Sequence, residues 1–281
     1  MWYKINTFIQ TRTVLSVFLL TMLFILPIMV AGLTFMVGMG GQMKGLSLFT
    51  ACQIACAAMC ILLMRKLAVF DKRDFMFKNV GKGLRLGWIV YVFAIIMFIT
   101  SLTSPPEGGY IPPNPLFLII VILAPFIGTG LFEETLCRGL VLKILLRKKG
   151  DTKRGMIVSC VISAVLFGGA HLLNLVWVDP LSVIPQVFFA TAGGIFLGVV
   201  YLRTKSLMAL ILLHGINNVF SQIFDAFTSP DFISQRDAVQ IGVTETIITT
   251  LIVVVLYLVP AFVLLRKVKP EEIVKNDNVV L

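Results

Sequence analysis

Residues 115–146 read PLFLIIVILAPFIGTGLFEETLCRGLVLKILL, and their only charged side chains are Glu133, Glu134, Arg138 and Lys143. A straight α-helix rises 1.5 Å per residue, so these 32 positions would extend about 48 Å. That exceeds the roughly 30 Å hydrocarbon thickness of a bilayer. The stretch therefore reads as a membrane span that either tilts or breaks near Pro125, Gly128 and Gly130. Two adjacent glutamates and an arginine in such a setting are costly, and intramembrane ionisable groups usually mark function.

Working outward, seven more apolar stretches meet or approach spanning length, at roughly 13–39, 46–64, 86–103, 155–178, 181–202, 206–224 and 241–265. The whole chain has the matching composition. Of its 281 residues, 58% are hydrophobic and 14% charged, with a mean hydropathy of +0.97. Soluble domains run near a quarter charged, and a soluble fold of this length could not hide so much apolar surface. A soluble enzyme, a disordered chain and a disulfide-rich scaffold are excluded. The five cysteines, Cys52, Cys56, Cys60, Cys137 and Cys160, are odd in number and all lie within apolar segments, which argues against disulfides. The fold class is all-α, a polytopic bundle of about eight transmembrane helices in the cell membrane.

A net charge of +10 on its own points to nucleic acid or anionic lipid, but the basic residues sit between apolar runs. All but four of the 24 lysines and arginines (Lys44, Arg138, Lys143 and Arg236) fall in alternate connections or beside the first and last spans, and Lys143 lies just before the connection at 147–154. The 103–114 and 176–181 connections contain none. Positive charge gathers on the cytoplasmic side, so eight crossings with both termini in the cytoplasm are expected, and no nucleic-acid partner. The first span lacks a small-residue cleavage site and is read as retained. The 103–114 loop, rich in Pro and Gly, reads as a stiff external connection. Residues 1–281 form a single membrane domain, with a polar cytoplasmic tail at 270–281.

The other intramembrane polar residues are few. Both histidines, His171 and His214, fall inside apolar spans, with Asn217 and Asn218 following the second. Residues four apart share a helix face. Glu134 and Arg138 can thus form an intrahelical ion pair, while Glu133 projects about 100° away. A partly desolvated carboxylate without its own cation suits a general base. Phe167 and His171 are four apart, separated by Gly168, Gly169 and Ala170, which leave room beside the imidazole and let a neighbouring helix approach. His214 and Asn218 are also four apart, and imidazole and carboxamide N–H groups on one face make an oxyanion clamp. Asn217 reads as a helix–helix hydrogen-bonding residue. The Cys52, Cys56 and Cys60 stripe reads as packing. Cys137 lies beside the acids, which oppose thiolate formation. Gly194 and Gly198 form a helix-contact pattern without chemistry.

Glu133-Glu134-x-x-x-Arg138, Phe167-x-x-x-His171 and His214-x-x-x-Asn218 together resemble the motifs of the CPBP intramembrane proteases, the CAAX prenyl endopeptidases and bacteriocin-processing Abi proteins. The resemblance covers residues 115–224 as a protease core. It implies that Glu133 and His171 activate water, that His214 and Asn218 stabilise the tetrahedral oxyanion, and that Glu134, Arg138 and Phe167 support them. The implied substrate is a membrane-associated peptide or lipidated protein, such as a pheromone or bacteriocin precursor, and a self-immunity role belongs to the same family. No cofactor is favoured, because the residue types fit water activation and oxyanion binding as they stand. The alternative is zinc held by Glu133, His171 and His214. A transporter or proton relay would use the same acid and histidines. It commonly shows paired broken helices in two halves, and residues 13–103 hold no counterpart of the polar cluster. A non-catalytic immunity scaffold is the third reading.

Overall fold

The structure, a computed structural model, describes residues 2–36, 42–103, 105, 109–176, 178–228 and 243–269. Among them every regular element is helical. In chain order the helices are α1 (Trp2–Thr11), α2 (Thr13–Met36), α3 (Gln42–Lys66), α4 (Val80–Leu86) and α5 (Trp88–Thr103). A long α6 (Pro115–Lys149) follows, then α7 (Lys153–Ala170), α8 (Pro180–Thr204), α9 (Leu207–Gln222) and α10 (Val243–Leu265). Among the described residues, seven helices are individually long and apolar enough to cross a membrane, and an eighth span results if α4 and α5, bent by 62°, count as one. The protein is an integral membrane protein with seven or eight candidate spans.

The helix starts follow from local chemistry. Each span must satisfy its backbone internally, so the orphan N–H groups of the first turn need side-chain acceptors. Asn114 accepts from the amides of Leu116 and Phe117 ahead of α6. Thr152, Asp179 and Ser206 do the same for α7, α8 and α9. Pro115 and Pro180 occupy first-turn positions, where a missing N–H costs nothing.

Three differences from the sequence reading have physical causes. The third span, placed at 86–103, is the short α5 joined at Gly87 to α4. A Cβ on Gly87 would stand 2.4 Å from Leu213 Cδ1, so the bend seats this corner directly against α9. The N-terminal α1 was not anticipated. The long fourth span, expected either to tilt or to break near Pro125, Gly128 and Gly130, continues through a change of winding. Residues Pro125–Gly130 and Thr135–Leu142 are π-helical and flank the four α-helical residues Leu131–Glu134. Pro125 has no N–H and its ring crowds the preceding turn, and wider winding accommodates it while the helix continues. Such π segments are frequent at functional sites. The 270–281 tail, parts of the 103–114 loop and residues 37–39 lie outside the described residues.

The basic connections meet at one end of the bundle. Lys82 Nζ donates to Arg203 O at 2.9 Å, and Asn79 Nδ2 donates to Thr204 O at 3.0 Å. Arg147 donates to Leu67 O at 2.7 Å, and Lys153 to Arg266 O at 3.4 Å. At the opposite end, the amide of Ile111 donates to Phe227 O at 2.8 Å, and Asn174 Nδ2 donates to Gln186 Oε1 at 3.0 Å. Between the ends the outer faces are apolar. On α10, for example, Ile248, Leu251, Val255 and Phe262 are exposed, as lipid-facing residues should be.

Candidate active site

The site is assembled where α6 and α9 cross. A Cβ on Gly130 would lie 2.8 Å from Pro125 O and 3.0 Å from Ile211 O, and one on Gly215 would lie 2.2 Å from Phe126 Cδ1. Glycine at both positions therefore lets the two helices approach closely. That closeness brings the glutamates of α6 to the histidine of α9.

Glu134 and Arg138 are 0% and 1% exposed and form an ion pair of 2.9 Å. A second guanidinium nitrogen donates to Gly194 O at 3.1 Å, and Arg138 Cζ lies 4.9 Å from the Phe167 ring centre. The glycine at 194 is thus more than a packing spacer, since its carbonyl receives the buried cation. His214 stands between both acids. Its Nδ1 is 2.8 Å from Glu134 Oε1 and its Nε2 is 3.4 Å from Glu133 Oε2. Glu133 is therefore not without a partner, as helix periodicity alone suggested. Periodicity describes one helix, and this partner comes from another. Glu133 retains 19% side-chain exposure, far more than Glu134.

His171 is the first residue of a 3-10 turn, His171–Val176, that follows α7. Its Nδ1 is 3.0 Å from Phe167 O. A carbonyl oxygen only accepts, so Nδ1 carries the proton and Nε2 is left as the basic nitrogen. Its ring meets Phe167 edge-on with centroids 5.2 Å apart, and Phe167 meets His214 edge-on at 6.1 Å. Phe167 therefore spaces the two imidazoles. Among the described residues no ion pair within 4.0 Å links Glu133 to His171. Gly168 is the tight contact of this segment, because a Cβ there would fall 2.0 Å from Thr191 Oγ1 on α8, whereas Gly169 meets open space.

His171, His214 and Asn218 share a cavity of about 180 Å³ with Phe167 and Asn217. A water needs roughly 10–15 Å³ of such volume, so several fit. Glu133 and Glu134 do not form the wall; they stand behind His214. Asn217 faces the cavity and its amide donates to Asn218 Oδ1 at 3.4 Å. The sequence reading had assigned it to helix–helix bonding. Cys137 is buried and is not part of the cavity lining.

Residues 115–220 match the family model described as Type II CAAX prenyl endopeptidase Rce1-like. The chain carries a domain of this family. That family consists of intramembrane proteases, and the match implies a membrane setting and a protein substrate. No curated protein matches the chain. The CAAX endopeptidase domain takes in α6 to most of α9, and its cavity is completed from outside the match. Val90 of α5 and Tyr257 of α10 close one part of it. Tyr257 stacks on Phe93 at 4.6 Å and lies 3.7 Å from where a Cβ on Gly193 would be. Neither residue carried a sequence signal, since an isolated Val or Tyr in an apolar span looks like any core residue.

The zinc alternative fails on donor geometry. Among the described residues, no three His, Cys, Asp or Glu side chains are grouped so as to hold a metal ion. Glu133, His171 and His214 are separated by Phe167 and by the pairing of His214 with the two acids.

Proposed function

We propose that the protein is an intramembrane endopeptidase that hydrolyses a peptide bond of a membrane-associated peptide or lipidated protein, using water activated by Glu133 and His171. The observation that carries this reading is the shared cavity lined by two imidazoles and the carboxamide of Asn218, with the partly exposed Glu133 carboxylate behind His214. His171 offers its unprotonated Nε2 as a base. Asn218 offers amide hydrogens to an oxyanion.

His214 holds its Nδ1 proton against Glu134, so its Nε2 can donate only after gaining a second proton. Glu133, 3.4 Å away, exchanges that proton with it. As water attacks the scissile carbonyl, its proton passes to the Glu133 and His171 set. The new oxyanion takes hydrogen bonds from His214 and Asn218; as the intermediate collapses the C–N bond breaks, and the leaving nitrogen takes back the proton that water gave to the Glu133 and His171 set. Glu134 and Arg138 hold His214 in position throughout.

Glu133→Gln preserves shape and removes the base. Cleavage of a fluorescence-quenched membrane-anchored peptide panel by the purified full-length protein should fall by about 10²–10⁴-fold. Full cleavage by the variant overturns the proposal. Ion-driven uptake into proteoliposomes that is lost in His171→Ala would establish the transporter reading in its place.

A further inference from the structure

We infer that a second pocket, at the basic end of the bundle, binds a phosphate group, carried by an anionic lipid headgroup or by a soluble phosphate. It shares no lining residue with the catalytic cavity, and its occupancy does not depend on the peptidase reading. Its volume is about 260 Å³, against about 180 Å³ for the catalytic cavity. Among the described residues, five basic side chains line it (Arg73, Lys78, Lys143, Arg203 and Lys205) but only two carboxylates, Asp71 and Asp74. Both carboxylates already have a cation. Asp71 pairs with Arg73 at 2.6 Å, and Asp74 pairs with Lys143. The pocket therefore holds a surplus of positive charge that its own acids do not neutralise.

Two of the surplus cations carry marks of a built site. The Nε–H of Arg203 is buried and has no acceptor among the described residues, while a terminal guanidinium nitrogen donates to Lys267 O. Buried donors are nearly always satisfied, and the guanidinium fork suits phosphate oxygens. Lys205 closes α8 in the left-handed conformation, with φ of 53° and ψ of 40°. Glycine or asparagine is the usual residue at such a helix end, because other side chains are strained there. Asn79, which also lines the pocket, is left-handed too, with φ of 70°. Backbone strain of this kind clusters at functional sites and ligand clamps.

The pocket is also held in shape. Asn79 Nδ2 donates to Thr204 O and Lys82 Nζ to Arg203 O, which ties the start of α4 to the end of α8. Next to Lys78, Met76 and Phe77 are 49% and 76% exposed. Apolar tips beside an ammonium group suit the boundary where acyl chains meet headgroups. Basic pockets between transmembrane helices are known to take phosphate headgroups. A carboxylate offers two oxygens, whereas a phosphate offers enough to engage Lys78, Arg203 and Lys205 together.

The test follows the thermal unfolding midpoint of the purified full-length protein in neutral detergent. Inorganic phosphate is titrated against chloride at equal ionic strength, and phosphatidylglycerol is compared with phosphatidylcholine in mixed micelles. At least one source should raise the midpoint by about 2–4 °C over its control. A rise with phosphatidylglycerol alone assigns a lipid headgroup, and a rise with inorganic phosphate alone assigns a soluble ligand. A rise with both assigns the phosphate group itself. Loss of one charge-assisted contact in Arg203→Gln, Lys205→Gly or Lys78→Gln should raise the half-saturating concentration about tenfold. Lys149→Gln, at the same end and outside the pocket, should leave it unchanged. Glycine accepts the backbone at 205 and Lys78 is exposed, so these two variants keep the test readable if Arg203→Gln fails to fold. No rise with either source overturns the inference. So does a rise that persists in every folded pocket variant, or that Lys149→Gln weakens as much.

Discussion

Two buried charged clusters among the described residues differ in how they end. At the basic end, Asp74 is 1% exposed. Its Oδ1 accepts from Tyr201 at 2.9 Å and its Oδ2 pairs with Lys143, which also donates to Val69 O. Both carboxylate oxygens have donors, and the cluster ties α6 and α8 to the loop after α3. Within the bundle, Glu134 is equally buried and paired, yet its Oε2 has no hydrogen-bond partner among the described residues, nor has the nearby Thr135 Oγ1. Its network continues through His214 to Glu133 and the cavity. Buried polar groups in native proteins are nearly always satisfied. The closed cluster fits a structural fastening, and the open one fits chemistry.

Substitutions can sharpen or break that contrast. Arg138→Met removes a charge from the open cluster and leaves Glu134 buried without its counter-ion. Breaking one side of a buried pair costs about 3–5 kcal/mol, to be read as a lowered unfolding midpoint in detergent. A midpoint within error of the parent would mean that the ion pair is not holding the site. Asp74→Asn removes one charge from the closed cluster but keeps its shape. A loss of about 1–3 kcal/mol is expected, with specific activity per folded molecule unchanged. Lost activity in a folded Asp74→Asn protein would erase the distinction between the clusters.

Asp71, beside the closed cluster, supplies the smallest effect. Burial works against its ionisation, but hydrogen bonds from the Arg73 side chain and amide outweigh it and hold the carboxyl below its ordinary range. A depressed carboxylate contributes stability above its unfolded value, near 3.9, and loses it as pH falls further. At 31% exposure the contribution stays below about 1 kcal/mol. Unfolding midpoints of the parent and Asp71→Asn should therefore converge on acidification below about pH 4. Divergence there would contradict the sign.

How much of this was legible in the sequence depended on the range of the interaction. The spans were readable because apolar length and charged loops are local properties, and the helices fall within a few residues of the apolar segments. The Glu134 and Arg138 pair was readable from four-residue spacing, which survives even the π winding that begins at Thr135. What lay beyond reach was contact between spans. No periodicity says that His214 sits between Glu133 and Glu134, that Asn217 turns to the cavity, or that Val90 and Tyr257 shape it. The hints were the glycines. Gly130 and Gly215 carry no chemistry of their own, but they record where two helices touch.

The central claim is tested most directly by comparing Glu133→Gln and Asp74→Asn in one cleavage assay with purified full-length protein and matched folded fractions. The account predicts that Glu133→Gln loses at least about a hundredfold in turnover while Asp74→Asn keeps the parent rate. Equal rates for the two variants, or loss confined to Asp74→Asn, would contradict it.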